Sequence, residues 1–247
     1  MPHQLPRVIP LLAALLAANS VRLSPGSSPT PPARQPSGGV KDEGVFSLSV
    51  EGKKVGTEKF EIQSSGDRIE AKAEIQLRLD RDGKTVELKA FPDLVLDAHF
   101  QPLTYKWSQK GSQSSRLDID FRSSPAKCRY RTVAGQEDNR DFDLPRDVVV
   151  VDATSVIHHY QLLVSRFKLA AERKQTFRAF IPQEAWPTVL TVEERGPEAV
   201  ELQGHSQTLD HIVVATESTP IDLWVDEGGR LQRLSNPEAK FEALREK

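Results

Sequence analysis

The chain has 247 residues, and its 33 lysines and arginines against 35 aspartates and glutamates give a formal net charge of −2. Residues 1–40 hold three of the arginines and no acidic residue, so the rest of the chain is mildly acidic. Interspersed charges of this kind form no basic stripe for a phosphate backbone, which excludes nucleic acid as an expected partner.

The first 20 residues have the pattern of a secretory signal peptide. Arg7 and the amino terminus precede an apolar run, Val8 to Ala18, that is shorter than the roughly 20 residues a membrane-spanning helix needs. The small residues of Ala18-Asn19-Ser20 suit cleavage after Ser20. We therefore predict a periplasmic or secreted protein with no transmembrane span after cleavage; the alternative is an uncleaved N-terminal anchor.

A linker rich in Pro, Ser and Gly follows, and we place it at residues 21–43. It contains almost no apolar residues, so it cannot bury enough surface to fold and is predicted to be disordered. Residues 44–247 then form a single β-rich domain, long enough for a substantial core. The linker contains five prolines: Pro25, Pro29, Pro31, Pro32 and Pro36.

The first half of this domain alternates between apolar and polar residues. The clearest stretch is Arg68–Asp80, in which every second residue is apolar, so one face of the strand is buried and the other is solvated. Gly56 within an earlier strand predicts a β-bulge or a close approach of two backbones. Asp82-Gly83 predicts a tight turn.

One segment has helical spacing. Asp152–Phe167 is predicted as an amphipathic helix, with Asp152, Thr154 and Ser155 as alternative N-caps. Since strands lie on both sides of it in the sequence, its apolar stripe has to pack against the sheet. The stripe consists of Val156, Ile157, Tyr160, Leu163, Val164 and Phe167.

Short strands return after the helix, most of them bounded by Gly or Pro, and Gly228-Gly229 predicts a hairpin turn. The count suggests 10–12 strands in all. Twist of about 20–25° between neighbouring strands curls such a sheet. The predicted fold is mainly β: a curved antiparallel sheet, as a half barrel or barrel, wrapped around one central α-helix.

The concave face of this sheet is the predicted ligand site. Small side chains among its inward residues leave room either for the helix or for an apolar guest. Both fillings remain open at this stage. The candidate lining residues are Ala71, Ala73, Ile75, Leu88, Val156, Tyr160, Leu163 and Trp224.

Three segments together resemble uncharacterised bacterial periplasmic β-domains of unknown function: GVFSLSVEGKKVGTEKFEI near the start of the domain, HHYQLLVSRF at its centre and IDLWVDEGGRLQRLS near its end. Such domains are distantly similar to the half-barrel fold of periplasmic lipoprotein carriers. That resemblance implies handling of a lipid or another apolar ligand, by analogy of fold. The carriers have more than one helix, whereas this pattern shows one.

Residues that could carry chemistry are few. His158 and His159 are adjacent on the predicted helix, so they point about 100° apart and cannot share a metal ion in the usual spacing; we expect both to flank the apolar stripe, partly solvated. Asp210-His211 is a dyad only in sequence, because neighbours on a strand face opposite ways. Cys128, the single cysteine, is expected to be buried. Neither a metal nor a cofactor is predicted.

Paired carboxylates give one further candidate. Asp222 and Asp226 share a strand face with Trp224 between them, but Asp226 opens a turn in which Asp bonds its own backbone. With neither a nucleophile elbow nor a phosphate loop, we predict that the protein is not an enzyme.

Two functions remain. The first is an envelope protein that binds an acyl chain or another apolar small molecule in the cup. The second is a β-rich interaction or structural module with a solid core, which binds another envelope protein. A loop tryptophan, Trp186, either anchors a partner or a membrane surface, or covers one end of the core.

Overall fold

The computed structural model describes residues 41–81, 84–111, 114–131, 134–152, 156–170, 172–215 and 220–246. The predicted signal peptide, the linker up to residue 40, Asp82-Gly83 and two of the three predicted N-caps, Thr154 and Ser155, lie outside these ranges. The first nine strands are β1 (Lys41–Val50), β2 (Lys53–Ser65), β3 (Arg68–Arg81), β4 (Lys84–Asp97), β5 (Pro102–Gly111), β6 (Ser115–Asp120), β7 (Ala126–Arg131), β8 (Glu137–Phe142) and β9 (Val149–Val150). Helix α1 (His158–Phe167) precedes β10 (Lys174–Ile181), a 3₁₀ turn (Pro182–Glu184), β11 (Trp186–Leu202), β12 (His205–Ala215), β13 (Pro220–Val225), β14 (Leu231–Asn236) and β15 (Phe241–Arg245).

The described strands form one sheet of fifteen strands in the order β8-β7-β6-β5-β4-β3-β2-β1-β15-β14-β13-β12-β11-β10-β9, which does not close into a barrel. Neighbours are antiparallel except β9 and β10, which are parallel. The prediction of a mainly β fold with one helix is confirmed, but the predicted 10–12 strands are too few. Strand β4 continues through Pro92, and β11 continues through Gly196 and Pro197, although Gly and Pro are typical of strand ends.

The two ends of the described chain meet in the middle of this sheet, where β1 pairs with β15. Arg245 donates hydrogen bonds to both carboxylate oxygens of Asp42, and both side chains are buried. Residues 41–43 fall within the predicted linker. They belong to β1 instead, because Asp42 has its partner at the far end of the chain.

The structure confirms the prediction of a β-bulge or a close approach of two backbones at Gly56. It lies opposite Leu48, where the register of β1 and β2 shifts. A Cβ atom at this position would lie 2.0 Å from the carbonyl oxygen of Gln76 on β3. Glycine therefore allows the backbones of β2 and β3 to approach each other closely.

Helix α1 lies inside the curved sheet. The whole predicted stripe is buried, and so are four residues outside it: His158, His159, Gln161 and Leu162. Its side chains and termini contact β2, β5, β10 and β12, together with the turn before β14. A helix buried on nearly every side has to be surrounded, so the sheet wraps around it.

The two ends of the sheet overlap. Phe177 on β10 faces the helix, with the guanidinium of Arg166 5.3 Å from its ring. Phe180 faces the other way, yet it is fully buried, because it packs against Phe121 and Phe142 from the opposite end of the sheet. The strand β9 and its flanking valines are buried as well. One end of the sheet therefore lies beneath the other; we call this rolled sheet, with α1 inside it, the scroll.

The other end of the sheet remains at the surface. Strand β8 pairs only with β7, and its sequence, EDNRDF, alternates exposed and half-buried residues. Charged side chains along an edge strand oppose pairing with another chain.

Candidate functional site

The interior of the scroll contains most of the predicted ligand-lining residues, but little space. Ala71, Ile75 and Leu88 from the sheet, and Val156, Tyr160 and Leu163 from the helix segment, are all buried in the main core. The cavity next to the helix measures about 20 Å³, which is room for roughly one water molecule. It is lined by Leu94, Leu96, Phe100, Val149, Val150, His159, Leu162, Leu163 and Arg166.

The other two predicted lining residues lie elsewhere. Ala73 is only partly buried and lines a groove described below. Trp224 is on the outer face of the sheet, because it pairs with His211 while its neighbour Leu223 pairs with the inward Ile212. The expectation that Trp224 faces the cup therefore differs from the structure.

A buried carboxylate caps the helix. Glu58 on β2 is fully buried, and it accepts hydrogen bonds from the backbone N–H of Ile157 at 2.6 Å and of His158 at 2.8 Å. The Nδ1 atom of His158 lies 2.7 Å from the same carboxylate. The predicted cap was Asp152, Thr154 or Ser155; the observed N-cap residue, Ile157, supplies no side-chain hydrogen bond. Glu58, which is about 100 residues away in sequence, satisfies these donors instead.

Both helix histidines are buried, in contrast to the partly solvated positions expected for them. His158 stacks on Phe60, and His159 makes an edge contact with the ring of Tyr105. Burial lowers the pKa of His159 well below its ordinary value, and the nearby His158 lowers it further. Burial likewise raises the pKa of Tyr105 well above its ordinary value. The cluster has the residue types of an acid–base site, but a substrate cannot reach it, since these side chains are almost completely inaccessible.

The outer face carries a second polar cluster. The ring of His211 stacks on Trp224 with the ring centroids 5.1 Å apart, and the Arg233 guanidinium lies 4.6 Å from the Trp224 ring centroid. Nδ1 and Nε2 of His211 lie 3.1 Å and 2.8 Å from the carboxylates of Glu198 and Asp222. These carboxylates are on opposite sides of the ring, so they cannot join it around one metal ion. These contacts of His211 hold the β11–β12 hairpin against the side chain of Trp224.

The two candidate pairs predicted from the sequence, Asp210–His211 and Asp222–Asp226, also have structural roles. Asp210 pairs with Lys168 at the end of the helix, so it faces away from its neighbour His211, as predicted. Asp226 accepts the backbone N–H of Arg230 at 2.9 Å in the turn that contains Gly228-Gly229, which confirms both the turn and the role of Asp226 in it. Among the described residues, no group of three or more His, Cys, Asp and Glu side chains could hold a metal ion.

Cys128 is buried, as predicted. Burial raises the pKa of its thiol to about 12. A thiol with such a pKa is a weak nucleophile at neutral pH.

Trp186 is exposed. It retains 59% of its accessible surface, so it does not cover the end of the core. It follows the 3₁₀ turn and Ala185, which has a left-handed backbone. Two hydrogen bonds hold this turn: the hydroxyl of Tyr130 donates to the Pro182 carbonyl, and Gln183 donates to the Tyr105 hydroxyl.

A groove opens on the sheet around Pro92, in the middle of β4. Its volume is about 420 Å³. The groove is not among the sites predicted from the sequence, although a proline within an otherwise alternating strand pattern is a usable signal. Its lining residues are Lys72, Ala73, Phe91, Pro92, Asp93, Lys106, Trp107, Ser108 and Arg116.

Comparison with known proteins identifies no family: no protein-family model and no curated protein matches the chain. Among solved structures, a DUF1089 family protein from Pseudomonas aeruginosa aligns with 70% of this chain and 86% of its own, at 13% sequence identity and a TM-score of 0.42. At this level of similarity the match assigns no function. The resemblance to periplasmic domains and lipoprotein carriers remains a prediction. Within the described residues, no helix is long and apolar enough to span a membrane.

Proposed function

We propose that the protein is an interaction module of the bacterial envelope, which binds a partner protein at its surface, and that it is not a carrier that encloses its ligand. The observation that carries this proposal is the filled interior. The cavity of about 20 Å³ beside α1 is far below the roughly 300–1,000 Å³ of pockets that enclose small molecules. The helix occupies the space that a carrier would keep for an acyl chain.

The contact region of the module is centred on Trp186. Aromatic side chains that stand out from a rigid surface are typical anchors of protein interfaces, because little conformational entropy is lost when they bind. The 3₁₀ turn before Trp186 is fixed by Tyr130 and Gln183, so the indole is presented by a preorganised segment.

The envelope location rests on the sequence. The pattern of residues 1–20 directs the chain to export, and the Pro-rich linker separates the folded module from its N-terminus. The module has no catalytic role in this proposal, because its buried acid and histidine side chains are closed to substrates.

Site-specific photo-crosslinking in intact cells tests the proposal. A photoreactive residue at position 186 of the full chain is expected to give one discrete protein adduct. The same residue at position 189 is the control. Val189 is also exposed, at 47%, but it lies on the opposite face of β11.

The captured partner is then purified and its affinity is measured directly. We expect Trp186→Ala to weaken binding by at least about tenfold and Val189→Ala to leave it unchanged. A lipid adduct in place of a protein, equal adducts at both positions, or a partner that binds Trp186→Ala as tightly as the wild type contradicts the proposal.

A further inference from the structure

The groove on the sheet exists because a proline interrupts a central ladder. Strand β4 lies between β3 and β5, and Pro92 is buried at its middle. Pairing between β3 and β4 holds at Lys72–Asp93 and at Ile75–Ala90, but the two intervening positions on each strand are unpaired. Proline has no N–H to donate, and in central strands it is rare for that reason. The ladder is therefore open at this point.

Small and aromatic side chains make the apolar part of the groove. Ala73 and Pro92 lie at the gap in the ladder, and Trp107 pairs with Pro92 from β5. Trp107 belongs to the buried core, and the aromatic ring on the outer face, beside Lys106, is that of Phe91. The volume of about 420 Å³ falls within the roughly 300–1,000 Å³ of small-molecule pockets.

The charged part of the lining is cationic. The lining contains three cationic side chains, Lys72, Lys106 and Arg116, and one carboxylate, Asp93. The overall charge of the domain, by contrast, is negative. Glu70, outside the lining, pairs with Lys72, and Asp118 pairs in the same way with Arg116.

Lys106 differs from the other two cations. In the part of the chain that the structure describes, its ammonium group makes no ion pair and no hydrogen bond, although Asp93 and Asp118 are its cross-strand neighbours. It is fully available to a ligand.

From this arrangement we propose that the groove binds a small amphiphilic anion, namely an aromatic carboxylate. Its carboxylate is bound by Lys106, with Arg116 and Lys72 beside it. Its ring packs against Phe91, which lies on the same face of the sheet as Lys106. This site shares no residue with the surface around Trp186, so it stands or falls independently of the proposed interaction module.

Calorimetric titration of the full chain with 2-naphthoate tests the site, and methyl 2-naphthoate serves as the uncharged probe. We expect the acid to bind and the ester to bind at least about tenfold more weakly, since a bond to a charged group is lost. Lys106→Ala is expected to weaken naphthoate binding by about tenfold. Lys59→Ala, at another exposed lysine, is the matched control and should change nothing.

A second variant tests the origin of the groove. Pro92→Val restores an N–H to the ladder at similar side-chain volume, so the strands can close and binding should be lost while the protein stays folded. Three outcomes overturn the proposal: no binding of naphthoate, equal binding of acid and ester, or binding that both Lys106→Ala and Pro92→Val leave intact.

Discussion

At the scale of single residues, the buried imidazole of His159 makes the free energy of unfolding depend on pH. It is packed between His158 and Tyr105, and the guanidinium of Arg166 lines the same small cavity. Burial, and then the neighbouring His158, lower its pKa well below 6.5. The folded protein therefore holds this ring in its neutral form over a pH range in which the unfolded chain binds a proton.

Below pH 6.5 the unfolded state takes up a proton at His159 that the folded state does not, so the free energy of unfolding falls as the pH falls. One such group contributes a slope of up to about 1.4 kcal/mol per pH unit. We expect His159→Phe to remove this contribution, as measured by urea unfolding at a series of pH values. Identical slopes in the variant and the wild type below pH 6.5 would rule this role out.

At the scale of elements, the start of α1 depends on a residue from another strand. Glu58 accepts two backbone N–H groups of the first turn and contacts the His158 ring, all without access to water. Its negative charge also matches the positive end of the helix dipole.

Replacing Glu58 by Gln should be costly. The amide removes the charge and turns one acceptor into a donor that faces other donors, so we expect a loss of about 2–4 kcal/mol in the free energy of unfolding. Glu61→Gln, at an exposed position on the same strand, is the control and should change stability by less than about 0.5 kcal/mol. Urea unfolding followed by circular dichroism measures both. Equal stability of the two variants would show that Glu58 does not hold the helix.

The sequence predicts elements where one local pattern decides the outcome. Alternation in Arg68–Asp80 predicts a strand, and helical spacing in the stripe from Val156 to Phe167 predicts a helix; both elements are observed. Proline and glycine are typical of strand ends, yet the strands continue through Pro92 and Gly196, because each residue pairs with a neighbouring strand on one side: Pro92 with Trp107 and Gly196 with His211.

The candidate sites were less accessible to sequence reasoning. The cap from Glu58 and the pairing of Trp224 with His211 depend on which strands become neighbours, which no local pattern records. The burial of both helix histidines has the same origin: the sheet surrounds the helix, whereas a single amphipathic stripe suggested one buried face.

At the scale of the whole molecule, the overlap of the two sheet ends closes the scroll. Phe180 is the contact at its centre, fully buried between Phe121 and Phe142. These aromatic contacts tie strands that are far apart in the sheet order, so they stabilise the rolled shape rather than any one ladder.

Phe180→Ala is expected to lower the free energy of unfolding by about 3–5 kcal/mol, since a buried ring leaves a cavity. Hydrogen exchange should also become faster in β8, β9 and β10 before it does in β1 to β3. The control is Phe91→Ala, which removes a half-buried ring that takes no part in the aromatic contacts of the overlap and should leave that exchange pattern unchanged. Uniform acceleration over the whole sheet would contradict a local closing role.

The tucked position of β9 also limits how copies of this protein can assemble by strand addition. A continuous filament needs two free rims on each molecule, one to give and one to receive. Here β8 is a free edge strand, whereas the other edge strand, β9, is covered. Strand addition between molecules must therefore stop at a symmetric dimer in which β8 pairs with β8. As long as the sheet stays rolled, the covered β9 edge prevents the growth of fibres.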